Sequence, residues 1–383
     1  MSKSKLDHLR ESGFRIRVQD RLIGVSGRMK PIKIIGSGPS GLTTAINLAK
    51  AGREVHVYEK NSDVGQRFHG DLEGLENWSN DEDVLDQLGR MNVSTDFRYH
   101  PFCEVTVANG VRSQHFHFAR PLFYAAKRGT EKDSFDQALK EQAILHGVSF
   151  HFKQSLAETE GDIIATGPIV KEIFAVDKGI VFQTSLPDTA IGVINDAAAY
   201  KGYAYLIVSR GYGCMCTVLF DRFDQASQCF EETTRIFKDL VGLEVRDAKT
   251  VGGIGGFSLR NVFQSNGRLY VGEAAGIQDF LWGFGIRDAI ASGFLAAQSI
   301  LEGRSYEEMA RAYFSRKLRA SLVNRYLWER FMARGYFYIM DRVKNVEYGL
   351  NFLSRMHKFN LLQRLLYPFA LTAMRRKYSH LRI

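Results

Sequence analysis

Six consecutive residues, Gly36-Ser37-Gly38-Pro39-Ser40-Gly41, have the types and spacing to grip a pair of phosphate groups. The first glycine permits a tight turn out of a strand, the second lets backbone amides approach a pyrophosphate, and the third lets a helix pack closely on that strand. An apolar run, Ile32 to Ile35, enters the turn, and a helix-forming stretch, Leu42 to Ala51, leaves it. Amides at the helix N-terminus would then face the phosphate charges. A second strand, Glu54 to Tyr58, ends at Glu59, whose carboxylate can accept hydrogen bonds from ribose hydroxyls, and Lys60 follows it. A lone G-x-G-x-x-G is weak evidence, but strand, helix and acid all stand in the expected order, so we read a dinucleotide site.

Other residues with chemical potential are more scattered. Arg67, in a polar glycine-containing loop after Glu59, could hold a pyrophosphate or a cofactor ring in two-pronged fashion, or be a solvated loop arginine. Arg128, just ahead of a helical pattern over 134–146, is a candidate of the same kind. His115 and His117 alternate with Phe116 and Phe118, which puts both histidines on one strand face. With no third ligand in view they read as a solvent-facing edge, and we expect no metal site. Tyr203 and Tyr205 share a strand face and either line an apolar cavity or belong to the core. The run Gly252 to Gly256 reads as flexible backbone, passing near the cofactor or crossing between domains. No Ser-His-Asp order and no paired catalytic carboxylate stands out.

Three separated segments together resemble FAD-dependent oxidoreductases of the aromatic-hydroxylase fold, within them most the geranylgeranyl reductase branch. These are Gly36 to Gly41 with Glu59, the strand and turn Ile163 to Gly167, and Val271-Gly272-Glu273 with Gly283-Phe284-Gly285-Ile286. The resemblance covers about residues 31–303 and implies FAD as cofactor. It also implies contacts from Thr166 and Gly167, from Gly272 and Glu273, and from Gly283, Phe284, Gly285 and Ile286. Relatives carry Gly-Asp at Gly272-Glu273, where the acid binds a ribityl hydroxyl; glutamate keeps the acceptor oxygens one methylene further out. Relatives often carry Asp-Pro-x-x-Gly-x-Gly where this chain has Asp279-Phe280-Leu281-Trp282-Gly283-Phe284-Gly285. A helix from about Ile286 would aim its positive N-terminal end at the flavin. Two departures stand out. Ala165-Thr166-Gly167 replaces the mid-chain Asp-Gly of flavin hydroxylases, and the loop Gln66 to Gly70 lacks the cysteine of archaeal prenyl reductases.

The elements that must position these residues follow from length and pattern. A chain of 383 residues suggests about two domains. We expect an α/β protein. Its Rossmann-like FAD-binding domain is built from separated segments, 31–75, 125–170 and 255–303. An inserted α+β substrate domain with an antiparallel sheet takes 76–124 and 171–254. A basic N-terminal arm covers 1–30, and a basic helical C-terminal region covers 304–383. The net charge of +9 is uneven: residues 304–383 hold 17 Lys/Arg against 5 Asp/Glu. There, Leu318, Leu322, Tyr326 and Phe331 recur at helical spacing, with Arg316, Arg319, Arg325, Arg330 and Arg334 between them. Such a region suits either a helical cap or a membrane surface. No nucleic-acid motif is present, and nucleic acid is not expected as a partner.

The four cysteines lack metal or C-x-x-C spacing and suggest reduced thiols in a cytoplasmic protein, peripheral on the membrane if the C-terminal region binds lipid. The expected function is hydride transfer at flavin N5 to a hydrophobic, isoprenoid or lipid substrate. A flavin monooxygenase is the first alternative, and an FAD-dependent RNA-modifying enzyme or a non-catalytic flavin-binding protein comes next. No second complete G-x-G-x-x-G exists for a separate NAD(P)H domain, and the external donor, NAD(P)H or ferredoxin, stays open.

Overall fold

The apolar run ahead of the glycine turn forms the central strand of a largely parallel sheet. The computed structural model describes residues 30–168, 173–343 and 346–378, with side chains described outside 331–349. The expected N-terminal arm (Lys30 apart) and the side chains of Phe331 and Arg334 lie outside the described residues.

In chain order the elements are β1 (Ile32–Ile35), α1 (Pro39–Lys50), β2 (Val55–Glu59), β3 (Leu72–Glu76), α2 (Val84–Arg90), β4 (Tyr99–Phe102), β5 (Glu104–Ala108), β6 (Ser113–His117), β7 (Phe123–Lys127), α3 (Phe135–Leu145), β8 (Ser149–Phe152) and β9 (Ile163–Ile164). There follow β10 (Ile173–Gln183), β11 (Thr189–Val193), β12 (Tyr203–Ser209), β13 (Tyr212–Leu219), α4 (Ala226–Val241), β14 (Arg246–Gly256), β15 (Gln264–Ser265), β16 (Arg268–Tyr270) and α5 (Ile286–Glu302). Three helices close the chain: α6 (Tyr306–Val343), α7 (Val346–Met356) and α8 (Leu361–Lys377).

The first sheet has the order β15-β16-β9-β1-β2-β8, parallel except for β15. Its strands come from three distant parts of the chain, so the Rossmann-like unit is assembled from separated segments. Close approach makes this assembly possible. Gly36 sits at φ 103°, and a Cβ there would overlap the Ala165 carbonyl at the end of β9. A Cβ at Gly41 would overlap the Gly36 carbonyl, and one at Gly293 on α5 would overlap the carbonyl of Ser40. Thr44 Oγ1 completes the α1–α5 contact by donating to the carbonyls of Ser40 and Gly293, at 2.8 and 3.1 Å. Sandwiched in this way, α1 is buried from Ser40 to Leu48.

The second sheet, order β14-β10-β13-β12-β11-β5-β6, is antiparallel apart from the β11–β5 pair. Helix α4 covers one face through Cys229, Thr233, Ile236 and Phe237, the buried positions of an amphipathic stripe. A small sheet, β3-β7-β4, carries Glu73 and Glu76. The glycine run 252–256, expected as flexible backbone passing near the cofactor or crossing between domains, is instead the end of β14, paired with β10. Its lack of an alternating apolar pattern hid the strand, while the pairing supplies its hydrogen bonds.

The C-terminal helices are anchored by buried charge. Arg325, expected on a basic surface face, is fully buried. It pairs with Glu329 at 2.9 Å, donates to the Lys201 carbonyl at 2.6 Å and lies 3.9 Å from the centroid of the Phe220 ring. Arg316, Arg319 and Arg330 are exposed. Lys317 reaches Asp288 on α5 at 2.8 Å and Glu76 on β3 at 3.3 Å. Burial alone would raise the Glu76 carboxyl, but Lys317 and Arg287 outweigh it and hold it down at about 2. This pairing stabilises the fold fully above the ordinary carboxylate range and is lost as pH falls through about 2. Lys317→Met is therefore expected to cost about 3–5 kcal/mol near neutral pH. The loss should shrink as Glu76 becomes protonated in acid. Denaturant melts of both proteins at neutral and acid pH check this, and a pH-independent difference would refute it.

Candidate functional site

One cavity of about 1430 Å³ runs from the glycine turn, past the α5 N-terminus, to the second sheet and the C-terminal helices. That exceeds the roughly 300–1,000 Å³ of an ordinary small-molecule pocket and leaves room for two molecules. Gly36, Ser37, Gly38, Pro39, Ser40, Glu59 and Lys60 line one end, with Thr166 and Gly167. Gly41 and Gly272 are not in the lining; they let α1 pack behind it, Gly272 against Ser40. Gly38 is different. Its φ is an ordinary −74°, and a Cβ there would meet nothing within 4 Å, so it would project into open cavity.

Glu59 is buried and already organised. One oxygen accepts from Ser37 N (3.1 Å) and Ser37 Oγ (2.7 Å), the other from Asn61 N (3.0 Å) and Asn61 Nδ2 (2.8 Å). A carboxylate offers about four acceptor sites, so a ribose hydroxyl reaching Glu59 would take the place of the Ser37 hydroxyl.

Midway along the cavity, Arg67 crosses from the loop after β2. It pairs with Glu273 at 3.1 Å and donates to the Ile254 carbonyl on β14. Burial raises the Glu273 carboxyl, and Arg67 partly offsets that rise. Arg128 also lines the cavity, but its donors go to protein. Two reach Asp136 at 2.9 Å each and one reaches Glu73 at 2.5 Å, with the guanidinium 4.0 Å from the centre of the Phe68 ring. The turn Gly283-Phe284-Gly285-Ile286 opens α5 and lines the cavity on the opposite side. Gln278 braces it by donating Nε2 to the Gly283 carbonyl at 3.2 Å, and its buried Oε1 has no partner among the described residues. The unpaired acceptor and the open space at Gly38 fit an elongated ligand with hydrogen-bond donors at its middle.

The far end is aromatic and apolar. Tyr203 and Tyr205 both face the cavity. Tyr203 donates to the Trp282 carbonyl at 2.6 Å, and its ring meets Trp282 edge-on at 5.4 Å. Trp282 in turn packs on Trp328 of α6 at 4.4 Å. Leu353 and Met356 of α7, with His357 just after it, complete this wall, which the sequence assigned to no pocket. His115 and His117 lie elsewhere, on an exposed face beside Glu104.

Asp177 on β10 was missed in the sequence. It shares a strand face with Ala175, lines the cavity and comes within 3.0 Å of where a Gly253 Cβ would stand. Among the described residues it has no ion-pair partner and no side-chain hydrogen bond; only its own backbone amide donates to it, and Arg67 attracts it from nearby. Burial, then repulsion from Glu73 and Asp71, pushes its carboxyl up to about 6. The signal available was an acid at an inward-facing strand position, between Ala175 and Gly179.

Residues 34–73 match the NAD(P)-binding Rossmann-like domain. No curated protein matches the sequence. Solved structures do match over nearly the whole chain. A geranylgeranyl bacteriochlorophyll reductase-like protein from Thermoplasma acidophilum is 17% identical with a TM-score of 0.64, over 90% of this chain and 98% of that one. The flavin-dependent brominase Bmp2 is 16% identical with a TM-score of 0.62, over 91% and 100%. A flavoprotein/dehydrogenase from Cytophaga hutchinsonii is 13% identical with a TM-score of 0.58, over 91% and 99%. The chain thus has the fold on which these proteins are built, a Rossmann-like unit joined to an antiparallel-sheet unit and closed by C-terminal helices.

Because the folded state holds the Asp177 proton more tightly than the unfolded chain, this residue lowers stability as pH rises from about 4 through about 6. Asp177→Asn is expected to stabilise the protein above that window, by on the order of 1–3 kcal/mol, and to give no gain near pH 4. Thermal melts at both pH values test this; equal gains at the two would refute it.

Proposed function

We propose that this chain is an FAD-dependent oxidoreductase, a reductase or dehydrogenase of a hydrophobic substrate. The observation that carries the reading is a single cavity with a phosphate cradle at one end and an aromatic, apolar chamber at the other. The flavin-dependent proteins that share the fold support the cofactor, and the reductase-like one among them supports the reaction class. Amides of the glycine turn and the α1 N-terminus would hold the pyrophosphate, Glu59 the adenosine ribose, and Glu273 with Arg67 the ribityl chain. The first turn of α5 would lie against the electron-rich edge of the ring system. Bound and reduced, FAD supplies the hydride that one carbon of an isoprenoid alkene accepts. Asp177, protonated below about pH 6, holds a proton in the same chamber for the neighbouring carbon. Trp282, Trp328, Tyr203 and Leu353 exclude water around the substrate.

A second reading is an oxygen-using flavin enzyme, favoured by the likeness to a brominase and to an oxygenase of 2-methyl-3-hydroxypyridine-5-carboxylic acid. Anaerobic mixing separates the two. Pre-reduced holoenzyme should be reoxidised by a geranylgeranyl substrate without oxygen, yielding a product with one double bond saturated. Reoxidation only with oxygen, together with an oxygenated product, would establish the second reading instead.

Cofactor binding itself has a clean test. Gly38→Val would put methyl groups into the cradle and is expected to weaken FAD binding about tenfold to a hundredfold, from roughly 1–3 kcal/mol of overpacking. Its melting temperature without FAD should stay within about 2 °C of the parent, because no protein atom is displaced. Absorbance titration with FAD measures the affinity. Parent protein that takes up no FAD, or a variant of unchanged affinity, would overturn the assignment.

A further inference from the structure

We infer that helix α8 docks the protein on an anionic lipid bilayer. Leu361, Leu365 and Phe369 recur every fourth residue, and Leu362 stands beside them, so all four project from one side of the helix. They are 73%, 64%, 67% and 60% exposed, in that order. Isolated exposed leucines are ordinary, but a contiguous apolar stripe on a single helix marks an interaction surface.

The helix is held firmly from behind. Gln363 donates to Asn324 at 2.8 Å and to the Met356 carbonyl at 2.6 Å, while Ala370 and Met374 are buried on the same side. Asn360 and Gln363 form a reciprocal cap at its N-terminus. The stripe is therefore a rigid outward face that no other described element covers.

Charge selects the occupant. From residue 348 to residue 383 the chain has no Asp or Glu, but it has seven Lys and Arg. Two of these are engaged at home: Lys358 by Asp81, and Lys377 by Glu329 and Asp221. Arg355, Arg364, Arg375 and Arg376 are exposed, with no acidic partner among the described residues. Leucine and phenylalanine flanked by arginines suit the boundary between acyl chains and anionic headgroups, where both kinds of side chain are satisfied. A second copy of this chain would set like charges against each other across the same face, and so fits less well. No described helix is long and apolar enough to cross a membrane, so the contact would be interfacial.

Position gives the contact a use. Met356 and His357 line the aromatic end of the cavity, and the stripe begins four residues after His357. Four residues of chain reach at most about 14 Å. Docking by α8 would thus bring the apolar chamber close to the lipid phase that dissolves its substrate.

The test uses the full chain loaded with FAD and two vesicle preparations. One is phosphatidylcholine alone; in the other, phosphatidylglycerol replaces about a third of it, giving the anionic surface that Lys and Arg recognise. Co-sedimentation should show binding to the anionic vesicles at least about tenfold tighter than to the neutral ones, and weakened by added salt. Leu361→Ser/Leu365→Ser/Phe369→Ser should lose that binding with its melting temperature and FAD affinity unchanged. Arg375→Gln/Arg376→Gln should lose mainly the preference for anionic lipid. Parent protein that stays in solution with both vesicles overturns the inference, as does a serine variant that binds like the parent. So does a parent dimer, seen by analytical ultracentrifugation without lipid, that the serine variant converts to monomer. Vesicle binding is read independently of redox turnover, so its failure is distinguishable from failure of the oxidoreductase reading.

Discussion

Backbone meeting backbone around the start of α1 is the constraint on which the rest depends. Gly36 lies under the Ala165 carbonyl, Gly41 on the Gly36 carbonyl, and Gly293 of α5 against Ser40. None of the three positions has room for a Cβ. Because the side chains are missing, β9, α1 and α5 converge at one point although they are far apart in sequence. The amides of the glycine turn, the Thr166-Gly167 turn and the first turn of α5 consequently open into the same space. Shifting any of these elements outward by the width of a methyl group would separate the two ends of the cavity lining.

Around that point the chain spends its buried charge in pairs. Arg67 is set against Glu273, Arg128 against Asp136 and Glu73, and Lys317 against Glu76 and Asp288. Arg67–Glu273, Arg128–Glu73 and Lys317–Glu76 link segments distant in sequence, and breaking one would leave an uncompensated charge in a poorly solvated place. Asp177 stands out against this pattern, facing the cavity with repulsive neighbours. A group left in that condition is suited to changing protonation state, whereas the paired groups are suited to holding position.

The legible parts of the sequence were those written locally. The glycine turn with its flanking strand and helix, the helix within 134–146, and the helix from Ile286 are all present as the pattern implied. Parity along β12 put Tyr203 and Tyr205 on one face, and both face the cavity. What escaped was set by distant partners. Arg67 and Arg128 look alike in sequence, yet one is half-exposed across the cleft and the other is enclosed by two carboxylates. Arg325 sits in a run of basic residues and is buried only because Glu329 and the Lys201 carbonyl are waiting for it. Nothing local distinguishes such residues from solvated ones. The wall contributed by α6 and α7 escaped for the same reason, since a helix that closes a cavity and a helix that caps a surface share one periodicity.

The aromatic chamber has one more consequence. The chain has three tryptophans, Trp78, Trp282 and Trp328, and all of them line the cavity. Trp78 packs edge-on against Phe284 beside the α5 turn, and the other two pack on each other at the apolar end. The intrinsic indole emission of this protein therefore originates entirely within the cavity. Ligands arriving at its middle and at its far end would perturb different emitters, so unmodified protein carries its own optical gauge of how full each compartment is.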